Sequence, residues 1–292
     1  LNQISRIYAN NPPTKIKKVV EDIQKDFRKF RHLFSKATGC DPSLFVRQKK
    51  SLGELGMMGV DISVPGFPTW LSYFNGNLEA LTFAYHDYPD IFEELVTLHH
   101  DQSVSIAETV IDVGEVDSVI IGMSGGITLQ SPDIFDRISL PTIKAITAMC
   151  RQAGVISGLH SCGKEHHIVK RCTEETDLDY INPLEVPPMG DCSLAALREE
   201  FGTEITLMGN LHTIDVMRNG SRDDVRRESL RAITAAGRRG RFFLSTGDQC
   251  GYDTPEENIK EMVSVGRAFG TYPLDLERIE SELKRLGGVR PR

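Results

Sequence analysis

The sequence has little of what small secreted, membrane-spanning or nucleic-acid-binding proteins depend on. Its six cysteines, Cys40, Cys150, Cys162, Cys172, Cys192 and Cys250, are scattered over 292 residues. That pattern suits free thiols or metal ligands in a cytoplasmic chain better than a disulfide framework. No apolar run approaches the roughly 20 residues that a spanning helix needs; "SVIIGM" is among the longest. No targeting segment is recognisable, and no role at a membrane is expected. Positive charge is not in excess: the formal net charge is −7, which speaks against a broad surface for nucleic acid. Short internal repeats and low-complexity segments are also missing.

What is present is ordinary globular material. Hydrophobic residues make up 40% and charged residues 26%, and the length suffices for a large core without disulfide support. The chain opens on Leu1, not Met, as an N-terminally truncated chain would. Residues 1–56 read as a helical extension packed on a barrel domain spanning 57–292. Within the extension, Ile16, Val19, Val20, Ile23, Phe27 and Phe30 follow helical spacing, which predicts one amphipathic helix.

After Gly59 short apolar runs alternate with helical ones. Strands are predicted at 60–64, 117–123, 155–160, 179–182, 205–210 and 242–246. Ser131 is a candidate N-cap and Gly154 a candidate helix stop. Near the C-terminus "TPEENIKEMV" places Thr254 as a cap with Pro255 in the first turn. Strand alternating with helix implies parallel pairing with right-handed crossovers. Polar or unusual residues follow many different strands: Met123–Gly126, His160–Gly163, Asn182–Glu185, Asn210–His212 and Thr246–Cys250. A closed barrel gathers every strand end onto one face, whereas an open sheet favours a single switch point. The expectation is therefore an α/β fold, a (β/α)8 TIM barrel. Its remaining strands would lie in the N-terminal part or upstream of it.

Two strand ends carry candidate chemistry. In "LHSCGK", His160 and Cys162 are two apart, so in an extended segment both side chains point the same way. In "STGDQCGYDTP", Cys250 occupies a Gly-flanked loop before a helix. One His and two Cys form a suitable donor set for zinc, leaving a fourth position open. The plainer alternative stands beside it: His160 as a polar pocket residue and Cys162 as a small buried one. His166 and His167 fall in the next helix and read as solvated or capping. Cys172 reads as core, and Cys192, near a helix start, as structural.

Four segments in order, "GLHSCGK", "INPLEVPPMGD", "LREEFGTEITLMGNLHT" and "FFLSTGDQCGYDTPEENIKEMV", resemble the uroporphyrinogen decarboxylase-like superfamily. The likeness covers roughly residues 57–272. Within it the chain looks most like the zinc-dependent methylcobamide:coenzyme M and corrinoid-protein methyltransferases. The resemblance implies a (β/α)8 barrel and a zinc ion on His160, Cys162 and Cys250. It also implies methyl transfer between a corrinoid, carried by a partner protein, and a small substrate, which a thiol would suit. Glu185 and Asp248 are candidates for proton handling or for orienting a ligand. Met123, Asn182, Asn210 and His212 are candidates for lining the substrate pocket. The decarboxylase's arginine-bearing N-terminal motif is not found in these residues, and the Asp248–Gln249 pair makes the last loop more polar than the resemblance implies. Two alternatives stand against this reading: a metal-free decarboxylase of an acidic tetrapyrrole, and a barrel that binds a corrinoid without turnover.

Overall fold

A computed structural model of the chain describes residues 3–6 and 14–287. It divides into two compact units. The first holds the chain to His160 together with Glu174–Leu178; the second holds Ser161–Thr173 and Asp179 onward.

The first unit begins with an antiparallel pair, β1 (Ile4–Arg6) and β2 (Thr14–Lys17). Helices α1 (Ile23–Phe30) and α2 (Ser43–Leu52) follow. The single long helix expected from residue 16 is thus not formed. Ile16 is exposed in β2, and the helix starts only where the Asp22 side chain accepts hydrogen bonds from the N–H groups of Gln24 and Lys25. Such a carboxylate cap satisfies donors that a helix start leaves open. Beyond Phe30 the chain tightens into a 3-10 turn, Arg31–Phe34. The apolar positions from Val20 on are nonetheless the ones that bury. Val20, Ile23, Phe27, Phe30 and Phe34 join Phe67, Trp70, Phe74 and Phe92 in one core.

Next come β3 (Gly59–Ser63), α3 (Phe67–Trp70), α4 (Asn77–Asp87), α5 (Pro89–Asp112) and β4 (Ser118–Gly122). Two short helices, α6 (Gly126–Leu129) and α7 (Pro132–Ile134), lead to α8 (Leu140–Ala153) and β5 (Ile156–His160). Strands β3, β4 and β5 pair parallel, with Gly122 opposite both Ser63 and His160. Ser131 caps α7 through Ile134 N–H, and Gly154 ends α8 at φ +69°, a conformation glycine adopts without side-chain strain.

The second unit contains most of α9 (His166–Glu175), then β6 (Tyr180–Asn182), α10 (Leu194–Phe201), β7 (Thr206–Leu211) and α11 (Arg222–Ala236). It closes with β8 (Phe242–Thr246), α12 (Glu256–Phe269) and α13 (Leu276–Arg285). Strands β6, β7 and β8 pair parallel in chain order. Leu230, Ile233, Val265, Phe269 and Ile279 pack the helices together. Around them Glu261 accepts from both Arg222 and Arg226, and Arg226 also reaches Glu282. Helix α12 starts one residue later than expected, with Pro255 as its N-cap and no capping side chain. Thr254 therefore does not play the capping part that the sequence suggests.

Among the described residues the parallel strands number six, all at predicted positions to within one residue at either end. Among the described residues of the N-terminal part, the strands β1 and β2 pair with each other and not with the six-stranded sheet.

Candidate metal centre

Past β5, Ser161 N–H donates to the Asn182 carbonyl at 2.9 Å, which carries the extended chain alongside β6 as far as Cys162. Gly163 then turns away at φ +90°, and its N–H donates to Glu185 Oε2 at 2.5 Å. Glu185 follows β6 and is 6% exposed. Asp248 follows β8, on a loop held by Gly247 N–H to the Leu211 carbonyl and Thr246 Oγ1 to the Asp248 carbonyl, both at 2.7 Å. Three different strand ends thereby deliver Cys162 Sγ, a Glu185 oxygen and an Asp248 oxygen to within 4.8 Å of one another.

Thiolate and carboxylate are both donors that zinc accepts. Three groups that each become anionic repel at this range, and a bound dication removes that repulsion. The donor set therefore fits a divalent metal, with Cys162 favouring a borderline-soft ion such as zinc over magnesium or calcium.

The remaining sequence candidates are placed as follows. Cys250 lies two residues beyond Asp248 but is not one of the three clustered donors. Burial pushes its thiol up, against hydrogen bonds with Thr246 and Thr254 that pull it down. His160 ends β5 in the first unit. There Asp61 shares its surroundings: partial burial raises the Asp61 carboxyl, and the charge of His160 opposes that rise. Gly122 makes room for the Asp61 carboxylate, which a Cβ there would meet at 2.7 Å. Met123 is buried in the same unit, with its N–H on the His160 carbonyl.

In the second unit Asn182 contacts Met208 Sδ at 3.6 Å, and Asn210 donates to the Leu184 carbonyl at 2.9 Å. His212 Nδ1 accepts from the N–H groups of Ile214 and Asp215, so this nitrogen is a helix cap and only Nε2 is left for a ligand. Asn210 and His212 line a narrow crevice with Glu185 and Gly247. His166 accepts or donates at Glu200, 2.9 Å away, away from the clustered donors. Cys172 is fully buried. Cys192 is buried as well, and burial beside Glu165 and Asp191 pushes its thiol far up, which makes it inert as a nucleophile.

Glu165 is the residue that the sequence conceals. It is 0% exposed, and burial raises its carboxyl well above the ordinary range. In "CGKEHH" it reads as an acidic residue just before a helix. Only the fold shows that its Oε2 accepts from Leu184 N–H at 2.6 Å and Glu185 N–H at 3.3 Å, whereas Asp191 Oδ1 takes the helix-start donors of Glu165 and His166.

The sequence model of the family described as Uroporphyrinogen decarboxylase (URO-D) matches residues 70–269. A methylcobamide:CoM methyltransferase, MtbA, of Methanosarcina mazei is 23% identical over 180 residues, 62% of this chain and 50% of that protein. The chain thus spans half the length of this curated relative. Among solved structures, a methyltransferase from Methanosarcina mazei superposes with a TM-score of 0.69 at 16% identity, covering 92% of this chain and 76% of that one. A B12-independent methionine synthase from Shewanella sp. W3-18-1 gives 0.51 at 12% identity, over 86% and 70%. The fold class is α/β, the TIM-barrel class expected from the spread of polar residues over many strand ends, with six parallel strands among the described residues.

Proposed function

The chain belongs to the uroporphyrinogen decarboxylase (URO-D) family, and from that premise we propose that it is a zinc-dependent methyltransferase. It moves a methyl group between a corrinoid, carried by a partner protein, and a small substrate, of which a thiol suits the site best. The observation that carries this reading is the convergence of Cys162, Glu185 and Asp248 from three strand ends, in a chain similar to a methylcobamide:CoM methyltransferase.

Cys162 would hold the metal through its thiolate, with Glu185 fixed in place by the Gly163 N–H. His160 and Cys250 are the further donors that the sequence motif nominates. Zinc, when bound, supplies Lewis acidity that holds a substrate thiol as its thiolate. Asp248 is half-buried on its loop and would take the proton that the thiol gives up. Asn182, Asn210 and His212 would line the approach, with His212 offering Nε2.

An acidic cluster is a poor host for a substrate bearing several carboxylates, because like charges repel. This weighs against decarboxylation of an acidic tetrapyrrole. The test is metal content by elemental analysis of purified protein and of its Cys162→Ser, Glu185→Ala, His160→Ala and Cys250→Ser variants. About one zinc per chain, lost with Cys162→Ser, is expected. Protein that binds no zinc, or that keeps it in all four variants, refutes the proposal. Loss with Cys250→Ser and His160→Ala adds those residues to the ligands; retention in both leaves Cys162 and Glu185 as the ligands that the variants identify. Methyl transfer from a methylated corrinoid to a panel of small thiols then tests the reaction itself.

A further inference from the structure

The backbone that carries the Glu185 carboxylate is bent against its preference. Leu184 has φ +62°, the left-handed region, which a residue with a Cβ adopts only at a cost. Something must pin this turn. Both of its peptide groups are held from the interior of the second unit. Glu165 Oε2 takes the N–H groups of Leu184 and Glu185, and Asn210 Nδ2 donates to the Leu184 carbonyl. The Glu185 carbonyl in turn accepts from Cys192 N–H at 3.0 Å. Gly190 packs so tightly here that a Cβ would collide with the carbonyl oxygens of Glu185 and Gly163.

Glu165 has no other hydrogen-bonding task for this side chain. Its second oxygen, Oε1, is buried and has no hydrogen-bond partner. Burying a carboxyl group this deeply is costly, and its one visible return is the pair of N–H groups on either side of the Leu184–Glu185 peptide bond. The residue also stands three positions after Cys162. One short segment therefore carries both a candidate metal donor and the clamp for the other donor's loop.

We propose that Glu165 is a positioning residue for the metal centre: by clamping the strained Leu184–Glu185 turn it aims the Glu185 carboxylate at the ion shared with Cys162. This rests on the proposed metal centre and adds to it a residue that touches neither metal nor substrate. Partners of metal ligands typically govern about 10–100-fold in metal affinity, and an effect of that size is expected here.

The experiment compares metal binding by wild type, Glu165→Ala and Glu165→Gln, using Zn2+ competition and Co2+ as a spectroscopic probe of thiolate ligation. Glu165→Ala should weaken binding about 10–100-fold while keeping the Cys162-to-Co2+ charge-transfer band. Glu165→Gln should restore near wild-type affinity, because only one side-chain oxygen is in use and the amide carbonyl supplies it. Merely structural damage would lower the melting temperature of the metal-free protein without following this order, so melting is measured alongside. Wild-type affinity in a folded Glu165→Ala protein overturns the inference. If Glu165→Ala does not fold, Glu165→Gln decides: affinity as wild type supports the clamp, and a loss of tenfold or more overturns it. Failure of the wild type itself to bind metal refutes the metal centre first, and the inference with it.

Discussion

Two buried side chains on either side of the division between the units answer the cost of burial differently. His99 of the first unit is 0% exposed among aromatic rings: Phe34 lies 4.7 Å from it between ring centroids. Its nitrogens meet side chains, Trp70 Nε1 at Nδ1 and Ser63 Oγ at Nε2, each at 3.2 Å. Indole N–H can only donate, so Nδ1 accepts and the ring proton is on Nε2. Glu165 of the second unit, equally buried, meets backbone N–H groups of a strand-end turn and leaves one oxygen unmatched. In the first case a polar group is absorbed into a core; in the second it shapes the backbone that displays Glu185. The contrast separates burial that serves stability from burial that serves a site.

The largest effect expected from this contrast is loss of metal with little loss of stability. Cys162→Ala should abolish zinc uptake, as elemental analysis would show, and leave urea unfolding of the metal-free protein within about 1 kcal/mol of wild type, since Cys162 is only half-buried. Trp70→Ala should do the reverse. It removes a fully buried indole and the donor to His99, which costs about 3–5 kcal/mol in unfolding free energy, with zinc stoichiometry unchanged. A Trp70→Ala protein that stays folded but loses its metal would break the separation.

How far the sequence carried this picture depends on what kind of signal each part left. The six parallel strands were legible because each is a short apolar run between turn residues, and the helices because they bury a periodic stripe. Cys162, Glu185 and Asp248 were legible as polar residues following strands. Their grouping was not, because it depends on turns at Gly163 and Leu184 that carry no periodicity. The same holds for the start of α1. Ile16 and Val19 fit helical spacing, but the Asp22 cap outweighs it. Glu165 was hidden most completely: a charged residue before a helix is normally solvated, and nothing local distinguishes one that is fully buried.

A middle-sized effect should appear on acidification. Burial lowers His99 to about 3 in the folded protein, against about 6.5 in the unfolded chain. The unfolded state therefore takes up a proton first, so stability is full above about pH 6.5 and falls as pH drops from there toward 3. From pH 7 to pH 5 the loss from this one group is about 2 kcal/mol. Urea unfolding at both pH values would measure it. In His99→Gln, whose amide can still accept from Trp70 and donate to Ser63, that part of the pH dependence should vanish. An unchanged difference would mean that His99 is not held neutral by its core.

The smallest effect tests whether every polar contact of the second unit bears on the site. Ser221 and Asp224 form a reciprocal capping box at the start of α11: Ser221 Oγ accepts from Asp224 N–H at 3.3 Å, and Asp224 Oδ2 accepts from Ser221 N–H at 3.0 Å. Losing such a cap costs about 1 kcal/mol. Helix α11 carries Arg222 and Arg226 to Glu261 and packs Leu230 and Ile233 into a helical core cluster that does not include Leu184 or Glu185. Ser221→Ala should therefore lower unfolding free energy by about that amount and leave zinc affinity within a factor of two of wild type. A larger change in affinity would mean that the turn is set by the unit's overall stability. It would no longer be set by the local clamp at Glu165, and the distinction between the two kinds of burial would have to be redrawn inside the second unit itself.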